Sequence, residues 1–140
     1  MRAECVANDG RSVAQYLGIL FFDLSVQFAL TIGDTYPVLG MELYRQVFQI
    51  LVPDNSEYRR PQWLPVELFV IDDSEIPLGW HFRAYGPETA AYERGFRARW
   101  GYRQLAESDE HRDGLEGRDP AALVIFGEQL DQLEGRSADK

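Results

Sequence analysis

The chain has 140 residues, enough for one domain with a core of its own, and 45% of them are hydrophobic, which excludes a disordered polymer. Fourteen basic residues against 23 acidic ones give a formal net charge of −9, a surface that repels polyanions and disfavours nucleic acid and anionic membranes as partners. Cys5 is the single cysteine, so an internal disulfide and a thiolate metal cluster are both excluded, and a reducing, cytoplasmic setting is expected.

The chain opens with a polar segment that holds Cys5, a poor setting for a reactive thiol. Val13 to Ile32 is the most apolar stretch and has the length of a membrane-spanning helix. Asp23 near its centre, with Gln15 and Gln27 on either side, argues against insertion. From Leu20 to Ile32 the even positions are apolar and the odd ones mostly small or polar, the two-residue period of a strand. Gly33-Asp34 and Pro37 then mark a turn. Met41 follows a composition break at Gly40. Residues 1–40 are accordingly read as an N-terminal hydrophobic segment, either an extra strand or a mis-assigned extension, preceding a core domain over 41–140.

Leu43 to Val52 reads as one strand buried on much of both faces, and 53–62, with two prolines and Arg59-Arg60, as a loop. Val66–Ile71 and Trp80–Tyr85 read as two strands of an antiparallel hairpin, joined by the acidic run Asp72 to Glu75. Residues 87–100 carry two competing patterns. Pro87 at a helix start, Ala90-Ala91 and the Glu93/Arg97 spacing favour a helix, whereas Phe96, Ala98, Trp100 and Tyr102 alternate as in a strand. The helix is the preferred reading. A short helix capped by Ser108 is expected over 109–116. The clearest helix runs from Pro120, capped by Asp119, through the stripe Leu123, Phe126, Leu130, Leu133, to a stop at Gly135, with 136–140 expected to fray. The expected class is α+β: a small antiparallel sheet of about three to four strands packed with two to three C-terminal helices.

Motifs for phosphate loops, dinucleotide folds, serine nucleophiles and zinc helices are missing. His111 lies among Asp109, Glu110 and Asp113, but adjacent positions splay around a helix, so the run reads as a solvated face and no metal or cofactor is expected. The richest group is His81, Arg83 and Tyr85, which share one face of a strand and offer a cation, a donor and a phenol to an anionic ligand. Arg97 and Arg99 follow nearby. Charge is uneven: residues 83–103 carry a net +3 and residues 104–140 a net −6. An intramolecular charge match is the simplest use of that asymmetry. Recognition of a basic protein through Asp109, Glu110 and Asp113 is the other. Two functional readings follow. The first is a non-enzymatic binding module of the immunity, antitoxin or regulatory kind that meets a basic partner. The alternative is a small enzyme or ligand-binding domain using the His81, Arg83, Tyr85 face.

Overall fold

The computed structural model describes the backbone of residues 1–138 and the side chains of 1–135. The fold is α+β, with two antiparallel sheets. The strands are β1 Arg2–Cys5, β2 Thr35–Pro37, β3 Gly40–Tyr44, β4 Val47–Pro53, β5 Pro61–Pro65, β6 Phe69–Asp73, β7 His81–Ala84 and β8 Phe96–Gly101. The helices are α1 Ala90–Glu93, α2 Arg103–Glu107, α3 Asp109–Glu116 and α4 Pro120–Ala138. One sheet has the order β2-β1-β6 and the other β5-β4-β3-β8-β7. The strand content therefore exceeds the single small sheet expected from sequence; α3 and α4 lie where helices were expected, α2 was not anticipated, and the helix preferred over 87–100 shrinks to the single turn α1.

The five-stranded sheet packs against a separate core on each of its faces. Along β4, Ile50 and Val52 point into a core shared with Ala3, Cys5, Val13 and Tyr36 on the N-terminal side. Leu51, between them, points into a second core with Leu105, Leu115, Phe126 and Leu130 of the helices. Burial on both faces is why β4 is apolar at nearly every position, with Gln49 the one polar residue, instead of alternating.

Several expected elements form differently. The stretch 20–32 makes no strand. Asp23 accepts hydrogen bonds from the Ser25 backbone and hydroxyl, a local turn that stops extension, and Phe21 and Ile32 project into solvent. Its two-residue alternation is accidental. Cys5 is not in a loose tail: it is 1% exposed in β1, which pairs with β2 and β6 on its two sides. Burial pushes its thiol pKa up. The run 43–52 is a hairpin, folded back at Arg45-Gln46, and 53–62 contains the start of β5. Residues 66–68 are a 3-10 turn, and β6 pairs with β1 while β7 pairs with β8, so the expected hairpin over 66–85 does not form.

Over 87–103 the alternating pattern prevails. Thr89 caps a single helical turn, and Gly95 at φ 108° reverses the chain into β8. The Gly95 carbonyl accepts the Arg45 backbone N–H at 2.6 Å. The hairpin turn and the strand entry therefore lock together. A central sheet position, paired on both edges, outweighs the local helix signals. α3 forms as expected, with the Ser108 hydroxyl accepting from His111 N–H. α4 continues past Gly135 to Ala138, and residues 139–140 lie outside the described residues.

Candidate functional site

Cross-strand registry assembles the site. Glu42 on β3 lies opposite Arg99 on β8 and opposite Gln49 on β4. All three face the helices, where α3 lowers Arg112 onto them. Glu42 is fully buried, and Arg99 and Arg112 are 1% and 3% exposed. The Glu42 carboxylate accepts from Arg99 Nε at 3.3 Å, from Arg112 Nε at 3.2 Å and Nη2 at 2.6 Å, and from Gln49 Nε2 at 3.3 Å. Both cations lean on the Phe96 ring, Arg112 at 4.6 Å and Arg99 at 5.1 Å from its centre. Burial alone would lower the Arg112 pKa, but Glu42 and Glu116 more than offset it and the guanidinium is driven up.

The cluster extends outward to solvent. Arg99 also donates to Asp109 Oδ1 at 3.0 Å, and Tyr85 donates to the same oxygen at 2.8 Å. Burial pushes Asp109 up, but the hydrogen bonds from Tyr85 and Arg99 outweigh it and its pKa is lowered. Tyr85 is pushed up to about 12, first by burial and then by Asp109. Arg112 reaches Glu116 at 2.7 Å, and Arg94 holds Asp113 through two bonds of 2.9 Å.

The residues singled out from sequence fall into three groups. His81, Arg83 and Tyr85 do share a face, but that face turns towards α2 and α3. His81 Nδ1 lies 3.3 Å from Glu107, Arg83 donates to the Glu107 carbonyl at 3.0 Å, and Tyr85 is engaged by Asp109. The opposite face is exposed too, with Phe82 at 57%, and His81 itself remains exposed at the strand end. Arg99, Asp109 and Asp113 join the charged cluster. Arg97 and Glu110 do not. Arg97 donates to the Tyr92 carbonyl at 2.9 Å and stacks over the Tyr92 ring, and Glu110 is exposed on α3.

The solvated-face reading of 109–113 needs correction. His111 and Arg112 are buried, and the Tyr102 hydroxyl meets His111 Nε2 at 2.6 Å. Burial lowers the His111 pKa and raises that of Tyr102, so the contact favours a neutral imidazole beside a neutral phenol. Among the described residues no group of three or more His, Cys, Asp or Glu side chains could hold a metal ion. Sequence reasoning missed Glu42, Gln49, Arg94 and Arg112. The available signal was Glu42 itself, a carboxylate flanked by Met41 and Leu43 at the start of an apolar run.

Beside the cluster lies a cleft of about 390 Å³, within the range of small-ligand sites. Gln49, Trp63, Phe96 and Arg112 form its inner wall, and the irregular loop with Phe22 and Phe28 forms the other. No helix among the described residues is long and apolar enough to cross a membrane.

Comparisons with family models, curated proteins and solved structures find no match for this chain.

Proposed function

We propose that the protein is a non-enzymatic binding module that meets a basic protein partner through its acidic helices. The observation that carries this reading is internal: the arginine-rich stretch is already spent. Arg94, Arg99 and Arg103 pair with Asp113, Asp109 and Glu107, each at 2.9 to 3.1 Å. Arg99–Asp109 ties the sheet to α3, Arg94–Asp113 ties α1 to α3, and Arg103–Glu107 lies within α2, so each of these arginines is already matched by a carboxylate. The surplus behind the net −9 is left to the rest of the surface.

On α4 the buried positions Ala122, Phe126 and Leu130 define the inner stripe, which places Glu128 and Asp131 on the opposite, solvent face. Glu110 is exposed on α3, the helix packed against α4. Such a face steers a cationic partner from a distance and rejects anionic ones. The candidate side chains support binding over catalysis. His81, Tyr85 and Asp109 are engaged by neighbours that stabilise the fold, and none forms a nucleophile–base pair.

The test is crosslinking mass spectrometry in the native cells. The reading predicts crosslinks from Glu110, Glu128 and Asp131 to lysines of one partner. It also predicts that Glu128→Lys with Asp131→Lys removes them while the protein stays folded. Crosslinks confined to the N-terminal half, or a partner with an acidic contact surface, would refute it.

A further inference from the structure

Two of the residues that line the cleft beside the charged cluster, Gln49 and Trp63, carry polar atoms without partners among the described residues. Gln49 is 5% exposed, and its amide nitrogen donates to Glu42 at 3.3 Å. That bond fixes the amide's orientation, because a carboxylate accepts only from nitrogen. The Gln49 oxygen is thereby committed as an acceptor. Among the described residues no group donates to it, and it is not among the sealed unpaired atoms. The cleft gives it its opening. The second group is Trp63 Nε1, a buried donor with no acceptor among the described residues.

The two groups lie on the same face of neighbouring strands. Gln49 is opposite Pro65 and Leu51 opposite Trp63, so Gln49 and Trp63 are diagonal neighbours, roughly 7–8 Å apart along the backbone. Much of the remaining lining is flat and unsaturated, from Phe22, Phe28, Phe96 and Arg112, beside aliphatic residues such as Leu20 and Leu64. The Arg112 guanidinium lies 5.5 Å from the Trp63 ring centre and is held rigid by Glu42 and Glu116. Phe22 and Phe28, on the loop wall of the cleft, meet edge to face. An unpaired buried donor costs about as much as a lost hydrogen bond, so a ligand that supplies its acceptor recovers that cost on binding.

We propose that this cleft binds a planar, uncharged heteroaromatic amide, a ring lactam or ring carboxamide. Its N–H donates to Gln49 Oε1 and its carbonyl accepts from Trp63 Nε1. The donor is shielded from water in the free protein, so binding entails a local rearrangement that opens it to the cleft. Net charge plays little part, because the two nearest guanidiniums, Arg94 and Arg112, are already matched by Asp113, Glu42 and Glu116. This inference stands apart from the partner proposed above, whose surface is the outer face of α3 and α4.

The test titrates the ¹⁵N-labelled full chain with uracil and nicotinamide, using 1,3-dimethyluracil and benzoate as comparisons. The chain has three tryptophans, so three indole N–H signals are followed. Uracil or nicotinamide should saturate with Kd tighter than about 1 mM and shift one indole signal, which Trp63→Phe identifies by its absence. Dimethyluracil lacks the N–H that Gln49 needs and should bind the unmodified protein at least about tenfold more weakly than uracil. Three results would overturn the proposal: no saturable binding of either amide, equal affinity for uracil and its dimethyl form, or tighter binding of benzoate. Because the dimethyluracil comparison uses the unmodified protein, it holds even if Trp63→Phe fails to fold.

Discussion

Replacing Glu42 with Gln removes one negative charge and almost no volume, so its cost reports on charge alone. In the native protein this carboxylate answers two guanidiniums that are 1% and 3% exposed. With Gln in its place, Arg99 retains Asp109 at 3.0 Å and Arg112 retains Glu116 at 2.7 Å. Both of those carboxylates are partly in solvent, at 36% and 55% exposure, so they screen the buried cations poorly. Breaking a buried pair from one side costs about 3–5 kcal/mol. For a domain of this size that is a fall of about 10–15 °C in midpoint. Urea unfolding followed by tryptophan fluorescence and by circular dichroism gives the difference directly, read at constant m-value. The converse variant matters as much. Glu42→Met with Arg99→Met and Arg112→Leu removes the buried charged triad and should cost less than Glu42→Gln alone, since such a triad is often replaceable by apolar packing. A loss below about 1 kcal/mol for Glu42→Gln would refute the reasoning. So would a triple variant less stable than the single one.

The remaining predictions concern groups nearer the surface and the backbone. Arg94→Ala breaks an exposed bidentate pair with Asp113 and should cost no more than about 1 kcal/mol, seen as a small shift of the urea midpoint. Gly95→Ala should cost about 1–3 kcal/mol, because φ is 108° and the new methyl would lie 2.8 Å from Arg45 Cγ and 3.0 Å from Tyr44 Cε2. His111 has a folded pKa below its ordinary 6.5, so the unfolded chain takes up protons first as the pH falls. Stability is then full above about pH 6.5 and declines below it, and His111→Gln should flatten that decline in unfolding curves measured across the range. Asp109 acts in a separate, lower window: its contribution is present above its ordinary 3.8 and is lost as the pH falls through its depressed folded value. Asp109→Asn should weaken the acid-induced transition there.

What could be read from sequence followed the range of the interactions involved. Local signals held: Ser108 before Asp109, and Asp119-Pro120 before an apolar stripe, both began helices where the caps lie. The alternating residues of 96–102 also carried the correct pattern, but the one-turn helix at 90–93 supplied competing signals over the same window. The strand expected at 20–32 failed because alternation describes a sheet face only if a neighbour pairs with it, and Asp23 folds the chain locally instead. Pairing itself was illegible. β1 inserts between β2 and β6, which separates β6 from its expected partner β7. The charged cluster was hidden for the same reason. Glu42 meets Arg99 across 57 residues and Arg112 across 70, and no short window contains both ends. The His81, Arg83, Tyr85 face was found as a group, but its covering by α2 and α3 depended on that same long-range packing.

Arg94, Arg99 and Arg103 are each matched by a carboxylate of the same chain, and the proposed partner would read the acidic surplus elsewhere on the surface. The most direct measurement is the affinity of the crosslinked partner, purified and titrated calorimetrically from about 0.01 M to about 1 M salt. Over that span the screening length contracts from about 30 Å to about 3 Å. The account predicts affinity that falls steadily with salt, with a shallower slope once Glu128 and Asp131 are both changed to Lys. Affinity unchanged across the range, or a slope that those substitutions leave intact, would contradict it.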